Sequence, residues 1–169
     1  MEFQIAKRSA KKQVTFLSDT LNHSWCPPTE PLIKVNVDGA WDKNTTSSGS
    51  GVIIRDARGK FIAGSSRSYI AGSIIEAEAI ALVDGLKLVK QLNLDNIVME
   101  SDSHELISAL GNHIEKAMSL GIVTSREANR VADVAAKLAK SRLCTEVWVN
   151  IPPTSLVSVL TNDGVPCPH

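Results

Sequence analysis

An α/β fold built on one mixed sheet follows from three observations. Three early segments alternate apolar and polar residues with a period of two, and short polar turns join them. The apolar spacing then switches to three and four, as in an amphipathic helix. From there strand-like and helical stretches alternate, giving the order β-β-β-α-β-α-β-α. Strands joined by tight turns pair antiparallel, whereas strands joined through a helix pair in parallel through right-handed crossovers.

The first strand covers about 33–40. Ile33, Val35 and Val37 alternate with Lys34, Asn36 and Asp38. Trp41 to Ser48 is a polar connection, and 51–56 is the second strand. Ala57-Arg58-Gly59 is a hairpin turn, because Gly59 tolerates positive φ. Lys60 to Tyr69 is the third strand, with Phe61 and Ala63 on one face and Ile62 and Gly64 on the other. Ile75, Ala79, Leu82, Leu86 and Val89 form the stripe of a helix over about 74–91. A fourth strand runs from Asn96 to Ser101. A second helix follows, with Leu106, Ile107, Leu110 and Ile114 on one side. Ser119 to Thr124 is a short fifth strand. A third helix runs from near Asn129 to Ser141 and buries Val131, Val134, Ala135 and Leu138.

The flanks read differently. Residues 1–31 are polar and basic and end in a run with three prolines, so they are expected as a leader or linker. Residues 32–143 form the domain, and 144–169 read as a loosely packed tail. The apolar share of 43% supports one real core. Lys+Arg 18 balances Asp+Glu 18, so bulk charge gives no hint of a polyanionic partner. Cys26, Cys144 and Cys167 form no metal-binding or disulfide pattern. Lys7, Arg8, Lys11 and Lys12 are a weak basic cluster, read as a solvated tail. No apolar run is long enough for a signal or a membrane span, so the chain is expected to be soluble, intracellular and monomeric.

Four carboxylates draw attention. Asp38 and Asp102 fall at the ends of strands one and four, and ligands on such sheets gather at the carboxyl ends of strands where the winding reverses. Neighbouring strands place the two side by side, where like charges need a cation or a proton. Glu78 lies one turn before Leu82, at the edge of the buried face. Gly85 clears the same side for close approach to the sheet. Glu76 points away as a surface charge. Asp133 lies near the start of the last helix. Each also has a plainer reading. Asp38 could open a turn with Gly39, and Asp102 could cap the second helix in Asp102-Ser103-His104-Glu105. Asp133 could favour the positive helix end, and Glu78 could pair with a lysine.

Val35-Asn36-Val37-Asp38-Gly39-Ala40, Gly51-Val52-Ile53-Ile54-Arg55-Asp56, Ala77-Glu78-Ala79-Ile80-Ala81-Leu82, Glu100-Ser101-Asp102-Ser103 and the stretch from Arg126 to Asp133 occur in the order seen in ribonuclease H domains. The chain resembles that family over about 32–143. It is most similar to the ribonuclease H-like domains of plant non-LTR retroelements and related host proteins. The resemblance implies a five-stranded mixed sheet of order 3-2-1-4-5 flanked by helices. It implies that Asp38, Glu78, Asp102 and Asp133 are catalytic and hold two Mg²⁺ ions, with Mn²⁺ as a substitute. The implied reaction is endonucleolytic hydrolysis of the RNA strand of an RNA–DNA hybrid. The alternative it leaves is a nucleic-acid-binding or scaffold protein with little turnover. Gly39, Gly49, Gly51, Arg126 and Asn129 are the implied substrate contacts.

The sequence departs from the family at three places. The interval between Asp102 and Asp133 is short, with one helix shortened or lost around Gly111–Leu120, a region that often carries basic substrate contacts. The loop before the last helix reads Thr124-Ser125-Arg126-Glu127, without the histidine many members carry. Ile74 and Ile75 stand where relatives place polar amides, and Ile75 is expected in the core. Recognition of the 2′-hydroxyl is then expected to rest on the backbone around Gly49–Gly51.

Overall fold

The computed structural model describes residues 25–110, 121–124 and 129–163. The strands are β1 (Ile33–Trp41), β2 (Ser47–Arg55), β3 (Phe61–Ile70), β4 (Ile97–Ser101), β5 (Gly121–Thr124) and β6 (Thr145–Val149). The helices are α1 (Ile74–Gln91), α2 (described over 104–110), α3 (Arg130–Arg142) and α4 (Thr154–Asn162). The sheet order is β5-β4-β1-β2-β3-β6. Strands β1, β2 and β3 form the antiparallel meander, and β1–β4 and β4–β5 are parallel. The expected 3-2-1-4-5 order is therefore present, with a sixth strand added beyond β3. The cluster at Lys7–Lys12, Ile114, the Gly111–Leu120 segment and Arg126 lie outside the described residues. Among the described residues no helix is long and apolar enough to cross a membrane.

Each sheet face carries its own core. Val35, Val37, Val52 and Ile54 pack under α1 with Leu82, Leu88 and Met99. Ile53 and Phe61 pack under α3 and α4 with Val131, Ala135, Leu156 and Leu160. The hairpin turns form as the sequence predicts. Asp56 Oδ1 accepts from the N–H groups of Arg58 and Lys60, and Gly59 has φ 77°. Asp42 Oδ1 likewise accepts from the N–H groups of Asn44 and Thr45. The tight turn lets β2 begin at Ser47, earlier than expected.

Four expectations change. First, α1 is rotated by about one residue, roughly 100°. It buries Ala77, Glu78, Ala81, Leu82, Asp84, Gly85, Leu88 and Val89, while Ala79 and Leu86 sit at the margin and Ile75 is half-buried. Small residues decide this face. A Cβ on Gly85 would lie 2.7 Å from Val37 Cγ1 and 2.8 Å from Met99 Cε, so only glycine permits this approach. Asp84 pins the helix further by accepting from Ser50 Oγ at 2.6 Å and from Arg67 in two bonds. Second, a register shift at Ile54/Arg55 pairs Arg55 with Phe61 and Ile54 with Ala63. This bulge places Ile62 as an extra residue, so Phe61 and Ala63 fall in opposite cores.

Third, α3 buries an alanine face (Ala132, Ala135, Ala136 and Ala139), with Val134 and Leu138 only partly covered. Its backbone runs directly over β2. A Cβ on Gly49 would collide with the Ala136 carbonyl, and one on Gly51 with the Ala132 carbonyl. Fourth, the expected loose tail is ordered into the fold. Strand β6 pairs antiparallel with β3, and α4 buries Leu156 and Leu160 beside α3. The end of the expected leader is packed as well, with Trp25 buried and Arg55 stacked 3.5 Å from its ring centre.

Candidate metal centre

Strand β1 carries Asp38 two residues past the end of its pairing with β4, and the parallel neighbour β4 runs into Asp102. Helix α1 crosses above Gly39. A Cβ there would sit 2.6 Å from the Ala77 carbonyl carbon and the Glu78 nitrogen, so glycine is what lets the helix descend. The Gly39 N–H then donates to Glu78 Oε2 at 3.2 Å and orients that carboxylate. Asp38, Glu78 and Asp102 each bring a carboxylate oxygen within 4.8 Å of the others. Asp38 and Glu78 are buried and Asp102 is half-buried.

Asp102 is free for this role because it does not cap α2. Ser103 is the capping residue: its Oγ accepts from the Leu106 N–H, and its carbonyl accepts the first helical bond from Ile107. The plainer reading of Asp102 as the cap therefore gives way to Ser103, one residue on. Among the described residues no lysine or arginine forms an ion pair with Asp38, Glu78 or Asp102.

Asp133 stands apart from the other three. It lies in the first turn of α3, close enough for its charge to act on both Asp38 and Glu78. Its own carboxylate is held by Lys137 one turn on, at 2.7 Å. Asn129 is not a surface contact. It is 2% exposed and reaches across to β1, where its Nδ2 donates to the Val37 carbonyl at 2.7 Å and to Asp38 Oδ1 at 3.3 Å. Its Oδ1 is buried with no partner among the described residues. Asn129 is therefore placed to hold Asp38 in position. Gly39, Gly49 and Gly51 are also buried, and helix packing accounts for all three. Glu76 is exposed as expected, and its carboxylate accepts from the Gly72 N–H, just before the cap, while Ser73 Oγ accepts from the Glu76 N–H as the N-cap of α1.

The electrostatics follow from this crowding. Burial, then the charges of Glu78, Asp102 and Asp133, push Asp38 up to about 9. Burial and Asp102 push Glu78 up to about 7, with the Gly39 N–H pulling the other way. Metal-free, this corner must hold protons near neutrality. A divalent cation would relieve the same repulsion. The donor set is three hard carboxylate oxygens with no neutralising base among the described residues, which suits such an ion.

Sequence reasoning missed two residues beside this site. Asn36 and Glu100 stand two positions before Asp38 and Asp102 on the same strands. Asn36 Nδ2 donates to Glu100 Oε2 at 2.7 Å. The period of two along a strand puts both pairs on one face and was the available signal.

No curated protein sequence matches the chain. Solved structures do match its fold. Ribonuclease H1 from the archaeon Halobacterium salinarum is 18% identical with a TM-score of 0.60, covering 66% of this chain and 98% of that one. An N-terminal ribonuclease H domain from Mycobacterium tuberculosis is 18% identical, TM-score 0.57, covering 66% and 94%. LC11-RNase H1 in complex with an RNA/DNA hybrid is 22% identical, TM-score 0.55, covering 66% and 98%. The sequence pattern of one family, described as reverse transcriptase-like, matches residues 36–121, which span β1 to the start of β5 and include Asp38, Glu78 and Asp102. The chain belongs to that reverse transcriptase-like family and carries its ribonuclease H-like fold.

Proposed function

We propose that this protein is a divalent-metal-dependent endonuclease that hydrolyses the RNA strand of RNA–DNA hybrids. The observation that carries the reading is the Asp38–Glu78–Asp102 cluster, two of its acids buried, on two neighbouring parallel strands and the helix above them, with no base paired to it among the described residues. Similarity to a fold seen bound to an RNA/DNA hybrid supports the choice of substrate. Asp38, Glu78 and Asp102 would hold the cation, and Mg²⁺ is the one proposed, with Mn²⁺ as a substitute. Bound divalent ions lower the pKa of an attacking water and neutralise charge on a leaving oxygen.

The chain's own residues prepare that site. The Gly39 N–H and Asn129 Nδ2 hold the Glu78 and Asp38 carboxylates in fixed orientations, so little reorganisation is needed when charge develops. Burial of both carboxylates excludes bulk water and strengthens each interaction with a bound cation. Asp133 is the fourth carboxylate and joins only by leaving Lys137. That ion pair is exposed and weak, so approach of a cation or a phosphate is enough to redistribute it.

The same ion pair favours a second reading. If Asp133 stays with Lys137, the protein binds nucleic acid with little turnover. A labelled hybrid incubated with and without Mg²⁺ separates the two. The enzyme reading expects Mg²⁺-dependent cleavage of the RNA strand, lowered on the order of 1,000-fold in Asp38→Asn, the rate equivalent of roughly 4 kcal/mol. Cleavage by the wild type no greater than by that variant would leave only binding. Competition with duplex DNA and duplex RNA tests the substrate.

A further inference from the structure

Directly below the acidic cluster, one step down the same two strands, lies a different kind of pair. Asn36 and Glu100 are opposite each other in the parallel β1–β4 register, and both are buried. Their side-chain bond is short, 2.7 Å. The β1–β4 pairing runs from Ile33↔Ile97 and ends at this position. Asp38 and Asp102 come two residues later, beyond the last backbone rung. The Asn36–Glu100 bond is therefore the final cross-link between the strands before the two aspartates.

The bond is itself clamped. Asn36 Oδ1 accepts from Trp25 Nε1 at 2.9 Å and from Arg55 Nη2 at 3.3 Å. An indole N–H only donates, so the amide oxygen must face Trp25 and the NH₂ must face Glu100. Glu100 Oε2 also meets Lys34 Nζ at 3.3 Å, and Arg55 Nη1 meets Asp163 at 3.0 Å. Glu100 is not among the three clustered carboxylates. Its charge is already compensated, so it has no need of the cation.

We propose that Asn36 and Glu100 are a positioning pair that sets the separation of Asp38 and Asp102, and with it the affinity of the site for a divalent cation. This rests on the cation reading of the acidic cluster. The bond clamps the last paired position of the two strands, one step before the two aspartates. Without it, β1 and β4 are still held by their outer neighbours β2 and β5, but the separation of the two aspartates is no longer clamped from below.

The test is a Mn²⁺ titration of the full chain, with free Mn²⁺ followed by electron paramagnetic resonance. Glu100→Ala is expected to weaken Mn²⁺ binding about tenfold, as removal of an outer partner does at metal sites. Glu100→Gln keeps an acceptor for Asn36 Nδ2 and is expected to stay within roughly threefold of wild type. Leu88→Ala, which opens the core on the other face, is expected to lower thermal stability and leave Mn²⁺ affinity unchanged. Asn36→Ala reads the same bond from the other side should Glu100→Ala fail to fold. Wild-type affinity in both alanine variants, or equal weakening in Leu88→Ala, would overturn the positioning role while leaving the cation site intact. No Mn²⁺ binding by the wild type would overturn both.

Discussion

Two charged clusters lie one step apart along the same two strands of this sheet and are built on opposite principles. The lower one contains Lys34, Arg55, Glu100 and Asp163, with Asn36 and Trp25 bridging them. Its cations and anions balance, and each carboxylate meets a base. The upper one contains Asp38, Glu78 and Asp102, all of one sign. A balanced buried cluster is closed and holds the fold. An unbalanced one is paid for in raised pKa values and is open to an external cation. The contrast separates the structural acids from the candidate functional ones without reference to any relative.

Substitutions can break that contrast. Arg55→Met removes the central cation of the lower cluster and leaves Asp163, half-buried, without its base. The expected loss is roughly 3–5 kcal/mol of unfolding free energy, measured by urea denaturation, because an uncompensated charge remains. Asp38→Asn in the upper cluster is expected to do the reverse in the absence of metal. It removes one of several crowded carboxyls, so metal-free stability at pH 8 should rise by about 1 kcal/mol or more. A loss of stability in that variant would show that Asp38 is held as a structural acid, like Glu100.

The sheet and the acidic corner were legible in the sequence for a local reason. Period-two alternation in Lys34–Asp38, a glycine after the aspartate, and the switch to helical spacing at Ile74 are all short-range signals. What escaped depends on partners far along the chain. Strand β6 is five residues long and largely exposed, and its order comes from pairing with β3, some eighty positions earlier. Arg55 reads as a polar strand end, yet it is fully buried because Trp25 and Asp163 converge on it. The α1 stripe was displaced because large aliphatics were weighted over Ala77, Ala81 and Gly85, whose small size decides the packing. The cap of α2 was ambiguous because Asp102 and Ser103 are both good capping residues. Only the structure shows that the serine takes the helix and leaves the aspartate free.

The most direct test of the central claim is thermal stability against pH, with and without Mg²⁺. Asp38 is raised from 3.8 to about 9 and Glu78 from 4.5 to about 7 in the folded chain. Between those values the native state binds more protons than the unfolded one, so stability falls as pH rises through the window. The metal-free protein is expected to lose on the order of 5 °C in Tm between pH 5 and pH 8. Saturating Mg²⁺ at pH 8 is expected to restore it, whereas Asp38→Asn is expected to lose less with pH, keeping only the Glu78 share, and not to respond to Mg²⁺. A Tm that is flat or rising over that range, or indifferent to Mg²⁺ at pH 8, would contradict the reading of this corner as an unneutralised cation site.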